Sequence, residues 1–429
     1  MSATLTSRIA AEHAAVAHGL PSGIVSPPQR RQAIEQLLER GLPSPRDDAW
    51  KYANLRSLER ASFAAAPRPT VPELALPPPI EGFDRYVLVD GHLHETASAR
   101  LGRTGGVDVT RDAAAAPANP GPGSQALRLA LLNEAFAVDA LRIEATPEAH
   151  ARGIEIVAVA TADASVGASY PRLRIELAPG ARLQLVERHL GTGAAASLVN
   201  AAVDITVGAG AALEHARLQD CSPRTTWLDS LRACLAADAR YHLTSVAIGS
   251  QSARSSLEVL LEGADAQLAL DAVSVADGSQ VHDAYALVRH RGRASRTRHV
   301  FRGISAGRAR VACNSHAVVE AGAVGVDTRQ SLRGLLAGRE AEIDLRPQLE
   351  IYTDDVRCSH GATAGKLDET MLFYLLSRGL DPAVARALLE WAFLEDVIAR
   401  LPIPSLRAQL ERRLADHRHD PLLDRELLQ

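Results

Sequence analysis

From Arg172 to Glu187 the chain reads RLRIELAPGARLQLVE: two short alternating strands, Arg172–Leu177 and Arg182–Glu187, either side of the small-residue corner Pro179-Gly180-Ala181. Alternation with period two marks strands with one face turned to a core. The same unit returns along the chain as IEIVAVA (Ile154–Ala160), AVDITV (Ala202–Val207), SLEVLLE (Ser256–Glu262) and QLALDAVSV (Gln267–Val275). Corners recur between them at Gly208-Ala209-Gly210, Ala236-Ala237-Asp238 and Gly263-Ala264-Asp265. The first apolar residues after the four corners are Leu183, Leu213, Tyr241 and Leu268, spaced by 30, 28 and 27 residues. Later corners, at Ala306-Gly307, Gly322-Ala323 and Gly338-Arg339, fall about 16 apart. Near-periodic strands with small corners and no helices between them are what a β-solenoid requires, because each coil leaves its edges unpaired until the next one stacks on it. A multi-sheet sandwich is the competing arrangement.

Working outward, three regions separate: 1–152, mixed and helical with proline-rich linkers; 153–366, the repeated strands; and 367–429, helical. In the first, Pro27-Pro28 precede a helix over Arg30–Arg40 that stops at Gly41, and SPRDDAWKYANLRSL (Ser44–Leu58) predicts a second short helix. Pro67–Pro79 and Pro117–Ser124 read as linkers, RYVLVDGHLHE (Arg85–Glu95) as a hairpin turning at Asp90-Gly91, and Gln125–Leu141 as helical. In the last, Met371, Leu372, Leu375 and Leu376 line a helix face ending at Gly379, and Asp381-Pro382 opens the next helix as N-cap and N1. That helix carries Val384, Leu388, Leu389, Ala392, Phe393 and Val397 on its apolar side. A third helix follows over Ser405–Ala415. These helices predict a small bundle hung on the end of the solenoid.

The 429 residues carry a formal charge of −4, so no global field draws the chain to nucleic acid or anionic lipid. No run of about 18 apolar residues predicts a membrane span. The N-terminus lacks the compact apolar core of a secretory signal. The cysteines, Cys221, Cys234, Cys313 and Cys358, are scattered and form no CxxC pair, which fits a reducing cytoplasm better than a disulfide framework.

The sharpest chemistry lies in DDVRCSHGATAGKLDE (Asp354–Glu369). Cys358 and His360 are two residues apart, so a strand presents them on one face. The Gly361–Gly365 stretch is expected to break that strand before a helix begins near Leu367. Two soft donors do not complete a metal site, and structural zinc needs four closed ligands. Cys313 and His316 are the obvious intrachain pair, but strand alternation sends them to opposite faces. The remaining ligands would come from elsewhere in the chain or from another chain. The basic run Val288–Arg310, with eight arginines, reads as a solvated strand face in preference to a phosphate surface, since only Phe301 offers an aromatic platform. No phosphate loop, nucleophile elbow, HExxH or dinucleotide fingerprint is present, and the adjacent pairs Asp47-Asp48 and Asp354-Asp355 cannot form acid/base dyads within a strand.

The block PQLEIYTDDVRCSHGATAGKLDETMLFYLLSRGL (Pro347–Leu380), together with WKYANL (Trp50–Leu55), resembles the SufB/SufD family of iron–sulfur cluster assembly proteins. The resemblance is to its SufD-like members, because SufB-like chains are longer and carry Glu directly after the histidine, where this chain has Gly361. The segment Cys313–Arg339 departs from the family pattern. The resemblance implies a right-handed parallel β-helix flanked by helical ends, and a non-catalytic cytoplasmic scaffold subunit. It implies pairing with a SufB-like subunit through the β-helix ends, or a homodimer when isolated, and a transient iron–sulfur cluster shared at that interface. His360 matches the interface histidine, with Cys358 as the second candidate. The C-terminal helices match the region that docks the SufC ATPase, which assigns Leu372, Tyr374, Arg378, Leu388 and Phe393 to that contact. Flavin involvement in iron delivery stays open. The rival expectations are a β-helix carbohydrate-active enzyme, which calls for an exposed ladder of carboxylates, and a purely structural homodimer that never carries a cluster.

Overall fold

The structure, a computed structural model, describes residues 2–69, 74–111, 125–149, 152–161, 167–193 and 195–417. The linker Pro117–Ser124 and residues 70–73 of the linker Pro67–Pro79 lie outside them. The protein is mainly β. Its strands alternate between two ten-stranded sheets and stack in parallel, which makes a flattened β-solenoid.

The repeat read from the sequence is the register of the stack. Leu183 pairs with Leu213, Leu213 with Tyr241, and Tyr241 with Leu268. The same sheet continues from Gln267 to Arg296, Asp327 and Arg357, intervals of 29, 31 and 30 residues. The shorter spacing of about 16 is a half-turn, because those later corners connect strands of opposite sheets.

The corners explain themselves physically. At one corner of successive turns sit Gly180, Gly210, Asp238, Asp265 and Ala294, all with φ between 53° and 75°. Glycine adopts this left-handed region freely and aspartate tolerates it. Each of the five donates its N–H to a carbonyl one turn along: Gly180 to Ala209, Gly210 to Ala237, Asp238 to Ala264, Asp265 to Arg293, and Ala294 to Val324. Gly325 continues the series to Asp355.

Inside the solenoid, Leu183, Leu213, Leu231, Tyr241, Val259, Leu268 and Leu270 form a continuous apolar core. One charged cluster interrupts it. Arg217 donates to Asp229 at 2.6 and 2.9 Å and to Glu187 at 3.1 Å, and all three are buried. The outer faces are apolar too, and the chain's own ends cover them. On one sheet, α1 (Ser2–Val16), α2 (Pro27–Arg40) and α3 (Ala130–Phe136) pack Ile9, Leu37 and Phe136 near Leu198, Leu228 and Leu287. After α4 (Glu369–Ser377), helices α5 (Pro382–Ile398) and α6 (Pro404–His417) lie over the other sheet. There Leu394, Val397, Ile398, Leu406 and Leu410 cluster with Val186, Val246, Val273 and Val300.

Four local expectations are corrected. The C-terminal helices do not hang from the solenoid's end; α5 and α6 lie along its side because that sheet has a second apolar face to bury. The face of α5 that packs there keeps Val397 and Phe393 of the expected stripe but is rotated towards Ala385, Leu394 and Ile398, leaving Leu388 and Leu389 half-buried and Ala392 exposed. Ser44–Leu58 forms two 3₁₀ turns, Asp48–Trp50 and Arg56–Glu59, pinned by the Trp50 indole N–H donating to Gln125 O at 2.7 Å. Of Gln125–Leu141 only α3 is helical, and its end gives way to the strand Leu141–Ala145.

Candidate functional site

The two sheets finish differently at their two ends. Near the N-terminus both are closed by short antiparallel strands, His92–Leu93 on Phe83–Val89 and Gly102–Thr104 on Val107–Arg111. At the other end each stops on a full ten-residue strand, Glu342–Ile351 and Val356–Gly365, paired on one side only. Their outer backbone N–H and C=O groups have no strand partner among the described residues, which is a template for another chain's strand. Burial falls off sharply there. Interior strands such as Val281–His290 are mostly buried, whereas most of Val356–Gly365 is exposed. Ile351 is 41% exposed and Tyr352 62%, two large apolar side chains at the mouth.

Cys358 and His360 lie on this last strand. The expected break at Gly361–Gly365 does not occur, because Ser331–Leu335 below supplies a register partner for each residue and the strand runs on to Gly365. The columns fix where both side chains point. Cys358 stands on Thr328 and Thr297, in register above Leu268 and Tyr241; His360 stands on Gln330 and His299, above Leu270 and Leu243. Those four residues belong to the inner core. Both donors therefore face the lumen at its open mouth, His360 exposed and Cys358 half-buried. Burial and the nearby Asp327 raise the Cys358 thiol pKa, with a hydrogen bond from the Thr328 backbone N–H acting the other way.

The alternative intrachain ligands do not join them. Cys313 faces inward and is buried, while His316 faces outward with its Nε2 2.9 Å from a Glu350 carboxylate oxygen. Among the described residues no three His, Cys, Asp or Glu side chains gather as a metal group. The basic run is largely neutralised in place: Arg291 reaches Glu262 and Glu320, Arg298 reaches Asp271, and Arg310 reaches Asp344. A cavity of about 80 Å³ lies deeper in the lumen, lined by residues such as Arg217, Trp227, Ala272 and His299.

On the helices, Tyr374 is 54% exposed with the Arg378 guanidinium 4.8 Å from its ring, and Leu372 and Leu388 are half-buried. Phe393 is partly buried against the solenoid beside Arg302, which takes it out of a freely accessible surface. Phe373, 71% exposed, and Met371, 58% exposed, belong to no packing stripe, because nothing in α4 is buried. The uniformly apolar FYLL run was the sequence signal of this.

Residues 159–393 match the family model described as SUF system FeS cluster assembly, SufBD core domain. The chain belongs to the SufB/SufD family. Along 90% of its length it is 28% identical to the iron-sulfur cluster assembly protein SufD of Escherichia coli (strain K12), covering 92% of that protein. It is also 28% identical over 62% of its length to a SufBD family protein of Mycobacterium tuberculosis, covering 68% of that relative. The chloroplastic protein ABCI7 of Arabidopsis thaliana is 29% identical over 56% of the chain and 51% of that relative. SufB/SufD membership places the chain in iron–sulfur cluster assembly and agrees with the solenoid. No helix among the described residues is long and apolar enough to cross a membrane.

Proposed function

We propose that this protein is a non-catalytic scaffold subunit that builds half of a cluster-assembly interface at the open end of its solenoid. The observation that carries the reading is the mouth itself. Two open strand edges offer backbone pairing to a second solenoid end, and the columns deliver Cys358 and His360 into the same opening. Pairing by strand addition gives affinity without side-chain chemistry. A SufB-like subunit is the partner of matching architecture, and it supplies the ligands that two donors lack. The cluster is cargo here. A thiolate and an imidazole hold iron less firmly than four thiolates, which suits a cluster that is passed on. Helix α4, with Met371, Phe373, Tyr374 and Leu376 turned to solvent, is the surface for a SufC-like ATPase.

The test is anaerobic co-expression with SufB-like and SufC-like partners, comparing wild type with His360→Ala by gel filtration and by iron and sulfide assay. The expected result is an intact complex with strongly reduced cluster. Equal cluster content in both would remove His360 from the assembly site and leave the chain as architecture.

A further inference from the structure

The strand beneath the mouth, Val326–Leu336, repeats the spacing of the last one: Thr328 lies under Cys358 and Gln330 under His360. Both are polar residues in inward columns that hold Leu268 and Leu270 further down. Both are buried, Thr328 at 0% and Gln330 at 5% exposure. Gln330 Nε2 donates across the lumen to the Gln348 carbonyl at 3.3 Å, which orients the amide. Its Oε1 then has no hydrogen-bond partner among the described residues, and neither does Thr328 Oγ1. An unpaired buried amide oxygen costs about 1–3 kcal/mol, so its position needs a reason.

Two imidazoles are within a column step of that oxygen. His299, below, is buried with Nδ1 2.7 Å from Ser315 Oγ, and it makes no hydrogen bond to Gln330. His360, above, is exposed. Neighbouring strands stand about 4.8 Å apart, which puts its ring within reach.

We infer that Gln330 is the positioning residue of His360: its Oε1 accepts the proton of one ring nitrogen and aims the lone pair of the other out of the mouth. An amide oxygen can only accept, so it selects one imidazole tautomer without adding charge to the site. Metal-bound histidines commonly need such a partner on their second nitrogen. This role rests on the proposed place of His360 at the assembly site, and it deepens that reading.

The test uses the full chain labelled with ¹⁵N-histidine, with the His360 signals assigned by difference from His360→Ala. In the neutral ring, wild type should favour one tautomer by about three- to ten-fold over the free imidazole ratio, the effect of one net hydrogen bond. Gln330→Leu should abolish that preference, and Gln330→Glu, which keeps an acceptor at the same reach, should restore it. In the co-expressed complex Gln330→Leu should lower iron and sulfide about ten-fold. An unchanged tautomer ratio in Gln330→Leu, or no restoration in Gln330→Glu, overturns the positioning role whatever the cluster assay gives. A set tautomer in wild type with undiminished cluster in His360→Ala overturns the proposed function instead and leaves the positioning intact.

Discussion

At the scale of single residues the molecule spends charge where it cannot be solvated. Arg217 holds two buried carboxylates, Asp229 and Glu187, inside the solenoid. Removing one member of such a cluster strands the others. Arg217→Met should therefore lower stability by about 3–5 kcal/mol, read as a shift in urea midpoint, and adding Asp229→Asn should recover part of it. A second network joins the chain just after α5 to the sheet that helix covers. His242 lies 2.9 Å from both Glu214 and Asp271, and Arg298 and Arg400 also reach Asp271. Burial opposes charge on both partners. The hydrogen bonds to Asp271 and Glu214 nevertheless raise His242 to about 9, and those from His242 and Arg298 bring Asp271 down to about 2. The raised His242 contributes stability in full below its ordinary value of 6.5, and that contribution fades as pH climbs to about 9. The depressed Asp271 contributes above its ordinary value of 3.8 and fails as pH falls towards about 2. The thermal midpoint should therefore drop between pH 6 and pH 9, and His242→Asn should flatten that drop. An equal drop in the variant would show that other groups set the slope.

At the scale of elements, α4 separates folding from docking. With no buried residue in it, Phe373→Ser should change stability by less than about 0.5 kcal/mol. It should still weaken co-elution with a SufC-like ATPase on gel filtration; unchanged co-elution would move the docking surface off α4. The elements also show what was legible beforehand. The spacing of Leu183, Leu213, Tyr241 and Leu268 gave the register because one period of the chain is one turn, and Cys358 and His360 shared a face because a strand alternates. What escaped the sequence was tertiary. The strands under α5 and α6 bury both faces, so their apolar residues do not announce which side meets a helix. Trp50 holds Ser44–Leu58 in turns through contacts made far along the chain. Gly361–Gly365 looks like a breaker until the strand beneath it is known. The donors' inward direction, and Gln330 below His360, emerged only once the columns were aligned.

At the scale of the whole molecule, stability should be graded along the solenoid axis, since each turn is supported by its neighbours. Amide exchange should be fastest in Glu342–Ile351 and Val356–Gly365 and slowest in central strands such as Thr225–Leu235. Binding of a SufB-like partner should slow it at the mouth first; protection appearing elsewhere would place the contact elsewhere. The sheathing of both sheets by the chain's own ends has a wider consequence. With the flanks covered and the far end closed by the short strands His92–Leu93 and Gly102–Thr104, the described residues offer long strand edges for addition at one end only. Stacked turns left open at both ends would invite head-to-tail polymers. A block with one such end can be matched there only once, so growth by strand addition would terminate at a pair, and the proposed chemistry of the mouth would be enclosed between two chains instead of being repeated along a fibre.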